Sequence, residues 1–219
     1  MTKRSGKEIL LRVVILLVGL TIAHLGVTLF LLANLGADPF NVLVQGIFRS
    51  LQKITDFSLL THGNVHICIC FLIILVLLLT DRSYVKIGTL LCMICGGPII
   101  DVFTVVLQPV FDAVPAFWFK LVMLAAGCVI LAFGMTIVIR SDAGTGPNDL
   151  VAVVIADKLK KKFSVVRVIV DCAFVAVGFV LGGTVGIGTV ICAFLVGPVA
   201  GFFLPKSEKI VNHFVSKLK

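Results

Sequence analysis

The chain has 219 residues, 59% of them hydrophobic and only 14% charged, with a mean hydropathy of +1.18 and a formal charge of +8. That balance lies outside the range of water-soluble domains. It also removes nucleic acid as the meaning of the positive charge, because the Lys and Arg residues sit in loops and tails between apolar runs, where membrane orientation places them.

Apolar runs at residues 9–34, 65–80, 87–110, 116–139 and 185–204 approach or exceed what a hydrocarbon core of about 30 Å requires. The first follows Met1-Thr-Lys-Arg-Ser-Gly-Lys7 and has the flanks of a secretory signal. It is longer than such a signal and carries no clear small-residue cleavage site, so it reads as a retained first helix.

After it comes Gly36-Ala-Asp-Pro39, a chain reversal that feeds a helix at a first-turn proline. The following helix, Pro39 to Lys53, has fifteen residues. Further on, Gly144-Thr-Gly-Pro147 opens a second short element of eleven residues, Pro147 to Asp157, or ~16 Å at about 1.5 Å per residue. Neither spans a bilayer comfortably.

These elements belong to an internal repeat. Residues 19–47 align with 127–155 at an offset of 108, pairing Gly19/Gly127, Gly26/Gly134, Thr28/Thr136, Gly36/Gly144 and Pro39/Pro147. Residues 88–103 align with 188–203 at an offset of 100 through Gly, Thr, Cys, Gly, Pro and Phe. Coincident Gly and Pro carry backbone meaning that coincident Leu does not. The expected fold is therefore an all-α polytopic membrane protein of two tandem repeats, 1–107 and 116–205, joined by a loop at 108–115 and followed by a basic tail at 206–219.

Two topologies remain open. If the short helices span, the chain crosses eight times and the repeats run parallel. If they are re-entrant, it crosses six times and the repeats are opposed. Both place sixteen basic residues inside and three outside, so the positive-inside rule does not choose. The shortness of the second element favours six. Either way the termini and Lys158-Leu-Lys-Lys-Lys162 are expected in the cytoplasm. In the tail, Ile210, Phe214 and Leu218 at a spacing of four suit an interfacial amphipathic helix, a frayed end being the alternative.

Gly36-Ala-Asp-Pro-Phe-Asn41, Gly144-Thr-Gly-Pro-Asn-Asp149 and Asp171 followed by Gly182-Gly-Thr-Val-Gly-Ile-Gly-Thr-Val and Gly197-Pro198 resemble the YczE/YitT-like family of bacterial integral membrane proteins, over essentially the whole chain. The resemblance implies a multi-spanning protein of the bacterial cytoplasmic (inner) membrane and no settled activity. YitT-type members often carry a soluble C-terminal domain, whereas fourteen residues, 206–219, follow the second repeat here.

Candidate chemistry concentrates at the two reversals: Asp38, Pro39, Asn41 and Gln45 in the first half, and Gly144, Gly146, Pro147, Asn148 and Asp149 in the second. A half-helix N-terminus exposes N–H groups and a positive dipole end, which suits an anionic group on a small solute. The same Asp and Asn residues also satisfy ordinary capping. Candidate ion or proton groups are Asp171, Asp101, His66 and His24, since intramembrane ionisable side chains are costly. Asp171 also reads as an i,i+4 partner of Arg167 at the interface.

The seven cysteines fall in apolar segments and read as packing, including Cys92-Met-Ile-Cys95, so neither metal nor cofactor is expected. The Gly182–Gly188 stretch lacks the lysine of a phosphate loop and reads as a turn. With no nucleophile and base pairing, no H-E-x-x-H and no Walker motif, an enzyme or primary pump is not expected. The leading function is a small-solute transporter or channel with its site at the repeat interface. The alternative is a non-transporting membrane partner that docks another protein through its basic loop and tail.

Overall fold

A computed structural model describes residues 5–54 and 62–217. Its elements are α1 (Gly6–Ala33), α2 (Pro39–Gln52), α3 (His62–Thr80), a 3-10 turn (Arg82–Tyr84), α4 (Ile87–Ala113), α5 (Phe117–Ser141), α6 (Pro147–Leu159), α7 (Phe163–Val180) and α8 (Ile187–Ser216). None of the described residues forms a strand. Six helices, α1, α3, α4, α5, α7 and α8, are long and apolar enough to cross a membrane. At 14 and 13 residues, α2 and α6 are not.

The centre of the bundle is the pair α1 and α5, which cross antiparallel through glycines. A Cβ on Gly26 would collide with the backbone of Leu131 and Gly127, and one on Gly134 with Ala23 and the Gly19 carbonyl. With no hydrophobic drive between helices in lipid, this close backbone approach is what small residues contribute to helix association. Phe30, Leu124, Cys128, Met135 and Val196 pack the adjoining core between α1, α5 and α8. The periphery is α3 and α4: only 11% of the most apolar stretch of α4 is buried, against 50% for α5, so their apolar side chains face outward.

Both central helices end alike. Asn34 and Asp142 adopt the left-handed conformation at the C-caps, with φ of 53° and 56°. Two residues on, Gly36 and Gly144 have φ of 146° and 141°, a region that side chains rarely adopt. The carbonyl between each such pair then receives a helix start: the Gly188 amide donates to Leu35 at 2.9 Å and the Gly88 amide donates to Ala143 at 2.9 Å. Thr189 and Thr89 accept at Oγ1 from the amides of Gly186 and Lys86. Each contact recurs at the offsets of 108 and 100 found in the sequence.

The contacts also sort the ends of the bundle. On one side, Arg12 Nη1 donates to the Ser141 carbonyl at 2.9 Å, Lys86 pairs with Asp142 and Arg140 with Glu208. On the other, Arg49 donates to the Gly182 carbonyl at 2.6 Å and Ser50 to Leu181 at 3.0 Å. Each short helix thus ends at one side of the bundle: α2 with the turn between α7 and α8, α6 beside the 3-10 turn. The two also cross over between halves, α2 packing on α7 and α6 on α3.

Two expected boundaries differ. The segment 108–115 is not a loop through most of its length, since α4 runs through Pro109 to Ala113 and leaves only 114–116 as the connection. Pro109 is tolerated near a helix end, where the chain is about to leave the membrane. The segment 206–219 is not a separate tail, because α8 continues to Ser216. Its buried face is Ser207, Val211 and Val215, while Ile210 and Phe214 are 45% and 50% exposed, on the opposite side from the bundle; Leu218 lies outside the described residues. The reason is visible at Ser207, whose hydroxyl meets that of Thr136 at 2.8 Å and so keeps α8 along α5 for two further turns. The Gly182–Gly188 stretch is the tight turn expected of it, with Gly182 at φ 95° and the Gly183 amide donating to Gly178 at 2.7 Å.

Candidate functional site

The two short helices decide where polar groups gather. Asp38 caps α2: its Oδ1 accepts from the Asn41 amide at 3.1 Å and its Oδ2 from Asn41 Nδ2 at 2.5 Å, with Pro39 preset for the first turn. In α6, Gly146 takes the N-cap position and Pro147 the first turn. Because each helix starts inside the bundle and runs back to its own side, the two N-termini approach one cavity from opposite sides. That cavity, about 340 Å³, is lined by residues from each of α1 to α8.

Asp38, Pro39, Asn41, Gly146, Pro147, Asn148 and Asp149 all line it, and so do His24 and His66. His24 Nδ1 lies 2.8 Å from the Leu20 carbonyl. A carbonyl only accepts, so Nδ1 carries the hydrogen and Nε2 of the neutral ring is left as an acceptor. Nε2 points at Gly96, where a Cβ would meet it at 2.8 Å. His66 stacks edge-on against Phe40 at 5.3 Å, and Phe40 against Phe174 at 5.5 Å.

The residue that the sequence reading undervalued is Arg167. Its Nη1 donates to Asp149 Oδ1 at 2.6 Å and its Nε to Asp171 Oδ2 at 2.9 Å, so one guanidinium ties α6 to α7. The expected i,i+4 pair exists and is buried within the bundle: Asp171 is fully buried and Arg167 is 7% exposed. Asp171 Oδ1 has no hydrogen-bond partner. The available signal was that Arg167 and Asp171 both lie within the apolar run Val165 to Val170 and beyond. The neighbouring lysines at 158–162 made that run look like a helix end, whereas α6 folds back and covers it.

Three other candidates lie elsewhere. Gln45 accepts from the Thr184 amide at 2.6 Å and holds the turn between α7 and α8 against α2. Gly144 sits against Gly88 and Thr89 and lines a second, larger cavity of about 810 Å³ on the side of the termini, with Lys86, Arg140, Asp142, Lys161 and Lys162. Asp101 is exposed on the outer face of α4, away from both. The reversal at residues 144–147 is thus a partition: Gly144 and Thr145 face the vestibule, Gly146 and Pro147 the central cavity.

Comparison with known proteins finds relatives along the same length. The chain is 28% identical over 212 residues to the uncharacterized membrane protein YczE of Bacillus subtilis, covering 96% of this chain and 94% of that protein. It is 31% identical over 190 residues to an uncharacterized protein of Haemophilus influenzae, covering 87% and 82%, and 25% identical over 201 residues to the uncharacterized protein YyaS of Bacillus subtilis, covering 91% and 94%. No solved structure matches. Residues 10–205 match the family described as Family of unknown function (DUF6198), and the chain therefore belongs to this family of YczE-like membrane proteins.

Proposed function

We propose that the protein is a small-solute transporter or channel of the bacterial cytoplasmic membrane, with its site in the central cavity. One observation carries the reading: two half-membrane helices from different parts of the chain bring their N-termini to one polar cavity midway along the bundle. Non-spanning backbone at membrane depth is tolerated where it lines such a cavity, and opposed broken helices are where transporters bind solute. The recurrence of contacts at offsets of 108 and 100, around an antiparallel α1 and α5, supports two halves of opposite topology. The vestibule on the far side of the 144–147 partition supplies a route of approach. The protein in this reading moves a solute and does not transform it, and its termini lie in the cytoplasm.

The test is uptake into liposomes containing the purified protein, across a panel of small organic and inorganic solutes. Asp149→Asn, which leaves Arg167 its second carboxylate, is expected to lower the flux about thirtyfold, the scale of losing one charged partner of a buried pair at about 2 kcal/mol, and Pro147→Ala, which loosens the start of α6, to lower it as well. Unchanged flux in both variants moves the site elsewhere. Absence of flux for every solute favours a protein that docks a partner instead.

A further inference from the structure

We infer that the solute of the central cavity is a small organic cation of the ammonium class, not the anion that two helix N-termini suggest by themselves. This rests on the transport reading and sharpens it.

The N-termini are already answered by the chain's own carboxylates. Asp38 takes both bonds from Asn41 at the start of α2, and Asp149 stands in the first turn of α6. An incoming anion would therefore meet the capping carboxylate at α2 and the charge of Asp149 in the first turn of α6, although no side chain caps the α6 amides. Positive charge at the cavity is a single guanidinium, Arg167, and it is committed to Asp149 and Asp171. Of three carboxylates near the cavity, Asp38 and Asp149 line it and Asp171 is buried next to Arg167, so one full positive charge and the partial charges of two helix N-termini stand against three. Were a proton to occupy the unpartnered Oδ1 of Asp171, two would still face one. A buried excess of charge is stable only when something pairs with it.

What the wall offers a solute is acceptors. His24 turns Nε2 inward because Nδ1 is spent on Leu20, and the carboxylate of Asp149 has one oxygen left after Arg167. Asn41, Asn148 and His66 line it as well, and the remainder is largely apolar, with Phe30, Phe40, Met93 and Met135 among it. Acceptors and ring faces around a compact volume suit an ammonium head, which is stabilised by both, better than a bare metal ion that needs several oxygens. The vestibule is basic, through Lys161 and Lys162 beyond the paired Lys86. Its charges are at the surface, where salt screens them beyond about 8–10 Å, and they follow from orientation, so they do not set the preference of the buried site.

The experiment uses full-length protein in liposomes with labelled tetramethylammonium and tetraethylammonium, which do not leak as neutral amines. Phosphate and sulfate serve as anions and rubidium as a bare cation. Protein-dependent uptake of a tetraalkylammonium ion is expected. Asp38→Asn keeps the helix cap, since Asn caps as well as Asp, but removes the charge; it should lower that uptake about tenfold or more. Asp112→Asn, at the exposed end of α4, should not. Uptake of phosphate, sulfate or rubidium with the ammonium ions at background overturns the cation inference and leaves transport standing. If nothing is taken up, the melting temperature decides. A rise with tetramethylammonium that Asp38→Asn abolishes upholds the cation site and rejects transport, and no rise rejects the cation inference.

Discussion

Arg167 shows how one side chain can organise a membrane interior. Its two bonds join α6, which is too short to be a candidate span, to α7, which is long and apolar enough for one. Its removal leaves two buried carboxylates without their partner, and breaking such an arrangement from one side costs about 3–5 kcal/mol. Arg167→Leu is therefore expected to lower the melting temperature of the purified protein sharply. Arg167→Leu combined with Asp171→Leu should recover part of the loss, because it removes the fully buried one of the two stranded carboxylates and leaves only the partly exposed Asp149. A double variant no more stable than the single one would mean that the salt bridge to Asp149, not that to Asp171, holds the fold. His24 belongs to the same scale: its usefulness in the cavity depends on which nitrogen the Leu20 carbonyl engages, a geometry invisible in sequence.

At the scale of elements, the reversals after α1 and α5 do two jobs. They stop a spanning helix and offer a carbonyl to the start of α8 or α4. Gly144 is the test position, because its φ of 141° is strained for any side chain and a Cβ would collide with the Thr89 amide. Gly144→Ala should cost about 1–3 kcal/mol, the usual price of such backbone strain, while Gly97→Ala in α4, with nothing within 4 Å, should be nearly silent in the same thermal assay. Equal effects would show that the reversal is not a rigid element. These reversals were legible in sequence because Gly and Pro at matched spacing admit few conformations. The depth of Arg167 and Asp171 was not, since burial there depends on α6 folding back over α7. Gln45 and Asp101 sat beside the right motifs but face other surroundings, because position along a helix does not tell which side of it meets the cavity. The helical connection at 108–113 and the extension of α8 were missed for a related reason: proline and lysine read as breaks until a neighbouring helix supplies contacts such as that of Thr136 with Ser207.

The whole molecule turns on how many times the chain crosses the bilayer. An antiparallel α1 and α5, each followed by a short helix that returns to its own side, gives six crossings and opposed halves. A parallel arrangement would need α2 and α6 to span at 14 and 13 residues, about 20 Å each, and would set α1 and α5 side by side in the same direction. The two arrangements assign opposite sides to the connections at 55–61 and 114–116, while agreeing that the termini and Lys158 to Lys162 share one side. Reporter fusions that signal only in the cytoplasm, placed at residue 58, at residue 115, after Lys160 and after Lys219, separate them. Six crossings predict signal at the last two and none at the first two. Cytoplasmic signal at both 58 and 115 would require each short helix to cross, and would remove the structural basis for a cavity entered by two half-helices from opposite sides.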